Sequence, residues 1–417
     1  MKTSFFFLLM AALALEAETD WPRFRGPNGA GISDATGIPV TWTETDYRWK
    51  ITLPGTGHSS PVIVGRRLFV TCADDITATR KILCLDALTG KQLWLREYPS
   101  KPFPKNKDNS NASATPAADT DGVVITWNTS EEVILLALDN DGREVWKRNF
   151  GPYIGAHGSA ISPVIAAGLV ILDNSQEDPA ANPDAYKGTD SPKQAGKSFV
   201  VAVERATGRT RWQLDRLSGK AAYATPCVRE DRELIVCSTQ HGFSGIDLVS
   251  GKLNWELVTF DRRVVSSPVL HGDLVINGCG GGGAGFRYFA VKAGPRPQVV
   301  YQVERPVPYV PTALVKDDRL FLWGDNGIVT CLRASTGERL WCDRVPSAFY
   351  ASPVWIGGRL YNIAKNGDVF VIGAGDKFEL LSRIPLGEKS HASPAVAHGR
   401  LYLRTLSQVF ALGGSPP

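Results

Sequence analysis

The chain has 417 residues, 43% hydrophobic and 21% charged, with a formal net charge of +4. Such a chain can bury a core, which excludes a disordered polyelectrolyte. Its mild charge, without long Lys/Arg runs, excludes a nucleic-acid binder.

The first element is an address. Lys2 precedes an apolar stretch from Phe5 to Leu15, and Ala14 and Ala17 lead into the polar Glu18-Thr19-Asp20. This is the pattern of a secretory signal over residues 1–17. The stretch is too short to span a bilayer, and no later run of about 18 apolar residues follows. The chain is therefore expected to be exported, periplasmic or secreted in a bacterial envelope, with no membrane span. Residues 18–43 read as an N-terminal extension, and residues 44–414 as one repeat domain.

Within that domain a small or hydroxylated residue and Pro introduce an apolar strand eight times, at Pro61, Pro116, Pro163, Pro226, Pro268, Pro311, Pro353 and Pro394. Most copies continue through a Gly or charged turn, a second apolar strand, and a third strand that runs into Thr-Gly and Trp. The last four intervals are 42, 43, 42 and 41 residues, and the first three are longer. A period near 42 made of short strands predicts an all-β, eight-bladed β-propeller of four-stranded antiparallel blades. Strands are lettered A to D from the Pro outward. Trp94, Trp146, Trp212, Trp255 and Trp341 recur in strand D, with Tyr301 and Leu381 as stand-ins. The eighth repeat ends after strand C. Residues 44–53, which include Tyr47-Arg48-Trp49-Lys50-Ile51, are expected to supply its strand D and close the ring, removing two exposed sheet edges.

The segments LDALTGKQLW, ERATGRTRW, DLVSGKLNW and LRASTGERLW resemble the tryptophan-docking repeats of pyrroloquinoline-quinone (PQQ) type eight-bladed propellers. The opening WPRFRGPNGAGIS is similar to the N-terminal segment of secreted bacterial members. The resemblance implies the fold and two branches of function. Quinoprotein dehydrogenases bind PQQ with calcium over the central axis, using sequence-adjacent Cys, a stacking Trp and carboxylates. This chain has no adjacent Cys pair and no haem-attachment motif. The BamB-type assembly factors bind partner proteins and catalyse nothing. The chain departs from their lipid-anchored form, since its first Cys is Cys72.

On this reading the D-to-A and B-to-C connections share one face, and all departures from the period belong to it. They are the Lys-rich YPSKPFPKNKDNSNAS, the polar run from Asp173 to Lys197, and CGGGGAGF from Cys279. Loops carry function more often than plain turns, so this is the expected binding face. Residues just ahead of each strand A should ring the axial mouth: His58, Asn111, Tyr223, Arg263, Tyr350, Lys389 and His391. Two His, two Tyr and cations suit an anionic or sugar-like ligand. His58 and His391 lack a third ligand for a zinc site, and Asp173, Glu177, Asp178 and Asp184 fit no calcium loop. No catalytic residue, metal or cofactor is expected, with PQQ and calcium as the alternative. The expected function is a monomeric, non-catalytic scaffold for a protein or polysaccharide partner. The alternatives are a PQQ-dependent oxidoreductase with a non-standard site and a lectin-like or hydrolytic propeller.

Seven cysteines complete the reading. The Thr336-Gly337 turn is centred so that Cys331 and Cys342 stand opposite one another, open to a disulfide or to free thiols. Cys72 with Cys84 and Cys227 with Cys237 are looser pairs, and Cys279 is left over.

Overall fold

Seven of the eight inner strands begin next to a Pro, whose missing N–H is tolerated at the start of a strand. The computed structural model describes residues 20–187 and 194–414, so the secretory segment expected over 1–17 lies outside the described residues. Eight sheets run A-B-C-D. Blade one consists of Val62–Val64, Arg67–Ala73, Arg80–Asp86 and Gln92–Tyr98. Strand A of blade one touches strand A of both blade two and blade eight, which completes the circle. The chain is an eight-bladed β-propeller. In the last blade Tyr47–Thr52 pairs antiparallel with Gln408–Gly413, Trp49 opposite Ala411 and Ile51 opposite Val409. No helix among the described residues is long and apolar enough to cross a membrane.

The Trp and Thr-Gly of the repeat act on neighbouring blades. The indole N–H of Trp94 donates to Asn140 O at 2.9 Å, that of Trp146 to Arg205 O at 2.9 Å, and that of Trp49 to Ala87 O at 3.0 Å. The rings lie against glycines with positive φ: a Cβ on Gly142 or Gly208 would stand within 2.8 Å of the preceding blade's Trp ring. Only Gly offers both the turn and the room for the ring. The apolar core lies between blades, as where Phe69, Cys84 and Trp94 of blade one meet Val123, Ile125 and Leu136 of blade two.

The extension is a plug. Asp20 accepts from Gly65 N at 2.8 Å on the A-to-B turn face, and Trp21 exchanges backbone bonds with Ile63 of blade one at 2.8 and 2.9 Å. Pro22 O accepts from Ala118 N of blade two. Arg23 reaches Pro226 O of blade four. Arg25 donates to Ala313 O at 2.8 Å and Pro353 O at 3.2 Å, in blades six and seven. The segment then returns, and Ile32–Ser33 adds a parallel fifth strand to Val354–Ile356 of blade seven. Trp21 and Arg25 are at most 1% exposed. These residues fill the axial channel between the inner strands.

Three local readings are corrected. Blade six carries its Pro two positions early: Leu314–Lys316 is its strand A, so Thr312 and Ala313 occupy the hydroxyl and Pro places. The run Gly280 to Gly283 is no loose loop. Strands Leu274–Gly281 and Ala284–Lys292 extend through it and turn on Gly282 and Gly283, both at positive φ, as a two-residue hairpin requires. None of the three possible disulfides is formed, and all seven described cysteines are free. A bulge between Cys331 and Leu332 slips the register, so Cys331 faces Trp341 and Cys342 faces Thr330. A one-residue slip puts the two thiols on opposite faces of the sheet. Cys72 faces Lys81 and Cys84 faces Phe69. Cys227 faces Ile235, diagonal to Cys237.

Candidate functional site

The plug leaves the channel open at one end only. Above Phe24 lies a cavity of about 530 Å³ that opens on the insertion face. Its inner wall comes from the residue before each strand-A Pro position, which is Ser or Thr in every blade. Ser60 N donates to Thr115 Oγ1 at 2.9 Å, and Thr115 N to Ser162 Oγ at 3.0 Å. Thr225 N donates to Ser267 Oγ at 2.9 Å, Ser267 N to Thr312 Oγ1 at 3.0 Å, and Thr312 N to Ser352 Oγ at 2.9 Å. Ser352 N then reaches Ser393 Oγ at 2.9 Å, and Ser393 N reaches Ser60 Oγ at 3.1 Å. The ring of bonds breaks once, between Ser162 and Thr225. There the blade-three insertion intervenes, and Ala222 N bonds Ser175 Oγ instead.

The upper wall is built by the insertions. The link after blade one crosses the mouth as a strap. Its Asp108 accepts from Lys365 Nζ at 3.2 Å and from Tyr350 Oη at 3.3 Å, both in blade seven, and its carbonyl lies 3.1 Å from His391 Nδ1 in blade eight. On the other side Asn109 Nδ2 donates to His157 O at 2.8 Å. The blade-three insertion contributes Glu177, fully buried, whose Oε1 is 2.7 Å from Arg263 Nη2. Glu177 also accepts from Ala156 N at 2.9 Å and Tyr186 Oη at 2.7 Å. Arg263 donates to Tyr223 Oη at 3.2 Å. The blade-five hairpin brings Gly282 and Gly283 to the rim, and its Gly280 passes so close to Tyr309 that a Cβ would stand 2.6 Å from the ring.

Charges at the mouth are paired. Burial opposes ionisation of both carboxylates, but the Lys365 hydrogen bond and charge hold Asp108 below the usual carboxylate range, and the Arg263 charge does the same for Glu177. The two rings of His58 and His391 lie 4.3 Å apart. Burial, then the charge of Lys365, pulls His391 down to about 4, and burial with the facing His391 holds His58 well below its ordinary value. Both are neutral near pH 7.

Five residues expected at the mouth line the cavity: His58, Tyr223, Arg263, Tyr350 and His391. Asn111 lies instead in a small internal cavity among blades one to three, where its carbonyl accepts from Arg80. Lys389 is exposed and does not line the mouth, although its charge reaches both histidines. The sequence reading missed Phe24, Asp108, His157, Glu177 and Tyr309. It also missed the hydroxyl ring, although the signal was present in the Ser or Thr before seven of the eight Pro residues.

Calcium with PQQ does not fit this donor set. No group of three His, Cys, Asp or Glu side chains that could hold a metal ion occurs among the described residues. The two carboxylates at the mouth, Asp108 and Glu177, are each held by a cation and hydrogen bonds. The cavity lining contains no Trp to stack on a quinone.

Fold and site together define a propeller with a plugged axis and one hydroxyl-lined axial cavity. The family described as Outer membrane protein assembly factor BamB matches residues 43–151, 130–289 and 304–412, and the chain belongs to that family. No curated protein shows significant sequence similarity to it. Among solved structures, BamB from Moraxella catarrhalis is 15% identical with a TM-score of 0.62, over 88% of this chain and 96% of that one. Quinohemoprotein alcohol dehydrogenase from Comamonas testosteroni is 12% identical with a TM-score of 0.66, over 95% and 81%. The computationally designed Ika8 protein is 13% identical with a TM-score of 0.60, over 87% and 98%. At these identities the likeness shows the fold alone.

Proposed function

We propose that the chain is an exported, non-catalytic propeller that binds a protein or polymeric partner on the face carrying the long loops. One observation carries this reading: insertions from blades one, three and five converge on the axial mouth and are fixed there by bonds between distant blades, such as Asp108 with Lys365 and Glu177 with Arg263. Loops that only bridged strands would not need that fixing. Family membership favours the binding role, and the secretory pattern of residues 1–17 favours export.

The test uses immobilised full-length protein and a variant whose strap, residues 100–108, is cut back to a short Gly-Ser link. The same partner should be retained from a native envelope extract by the wild type and lost by the variant. No specific partner, or one held equally by both, would count against the reading. The alternative, a PQQ-dependent oxidoreductase, is one that the donor set at the mouth does not fit. Dye-linked dehydrogenase activity after adding PQQ and calcium would establish it in place of the first.

A further inference from the structure

Seven of the eight hydroxyls at the axial ring, all except that of Thr225, accept a backbone N–H from the neighbouring blade. None of the eight donates a hydrogen bond to any other described residue. A hydroxyl has one hydrogen to give as well as lone pairs to accept with. The cavity floor therefore presents a circle of O–H donors without protein acceptors, and a ligand entering it must be rich in acceptor oxygens. Charge narrows the class. Arg263 and Lys365 are already matched by Glu177 and Asp108, no other Lys or Arg is among the residues lining the cavity, and a ligand carboxylate would meet that of Asp108. Aromatic walls narrow it again. Tyr223, Tyr309, Tyr350 and Phe24 are among the residues lining the space, and aromatic rings suit the C–H face of a sugar ring. The volume lies within the roughly 300–1,000 Å³ usual for small-ligand sites. The plug closes the far end, so a polymer can reach the floor only with its terminus.

We propose that the axial cavity receives the terminal unit of an uncharged saccharide, its hydroxyl and ring oxygens accepting from the Ser/Thr ring and its apolar face lying on the tyrosines. This rests on the reading that the insertion face is the binding face, and it names the chemistry recognised there.

The test presents the full-length protein to an array of neutral and acidic glycans and measures affinity for free neutral oligosaccharides by calorimetry. Two variants fill the cavity without touching the hydroxyl ring, Ala160→Trp and Val265→Trp, so a folding failure in one leaves the other. Neutral glycans should be bound through their ends, with affinity reduced at least tenfold in the filled variant. No neutral glycan bound, acidic glycans preferred, or equal binding by wild type and filled variants would overturn the proposal. Capture of the envelope partner, run on the same variants, separates the two claims: a partner retained through the strap while no glycan binds leaves the binding face standing and removes the saccharide.

Discussion

The two ends of the axial channel are held by different chemistry. At the plugged end, Trp21, Pro22 and Gly31 to Ser33 make main-chain bonds to inner strands, and buried Trp21 and Arg25 fill the space between blades. At the mouth, contacts between distant segments are mostly side-chain bonds among Asp108, Lys365, Tyr350, Glu177 and Arg263. Main-chain pairing with aromatic burial maintains a structure, whereas loops fixed by a few polar bonds around an unfilled cavity suit recognition. The same inner strands serve both ends.

The contrast is broken most severely by removing what closes the ring. Deleting residues 44–53 takes the outer strand from blade eight and opens two sheet edges, so aggregation or unfolding is expected in size-exclusion chromatography and circular dichroism. A soluble, folded truncation would argue against closure. Next is Trp21→Ala, which empties a fully buried site at the plugged end and should lower unfolding stability by about 3–5 kcal/mol in urea titration.

Acid should act at the mouth. Folded His391 titrates at about 4, below the ordinary value near 6.5, so between these pH values the unfolded chain binds a proton that the folded chain refuses. Its contribution is complete above pH 6.5 and is lost as pH falls towards 4, a decrease of about 3 kcal/mol. Asp108, with its depressed pKa, adds a loss of the same sign at lower pH. Denaturant titrations across pH 4–7 should show this slope, and His391→Gln should flatten it. The smallest effect is expected from Asp108→Asn, which weakens the strap's bonds to blade seven. Global stability should change by about 1 kcal/mol or less, while limited proteolysis should cut residues 99–113 faster.

The repeat made much of this molecule legible. A recurrent Pro, Gly and Trp at fixed spacing reports the blade, its turn and its docking on a neighbour, and Trp49 ahead of the first repeat identified the closing strand. His58, Tyr223, Arg263, Tyr350 and His391 were found at the mouth because their place relative to Pro sets their place relative to the axis. Residues 20–33 have no such periodicity, and nothing in WPRFRGPNGAGIS tells where an irregular segment will lie. Asp108 meets residues more than 240 positions away, so only the closed ring brings them together. The Cys331 and Cys342 register failed on a single bulge, which a count of residues about a turn cannot reveal.

The central claim is that the insertion face works and the plugged face holds. Photo-crosslinking amino acids placed at Lys107 and Arg262 on the insertion face, and at Arg66 and Asp317 on the turns of the plugged face, compare the two directly in native envelopes. Adducts of defined mass from Lys107 and Arg262 alone are the expected result. Adducts from Arg66 and Asp317, with none from the mouth, would contradict it.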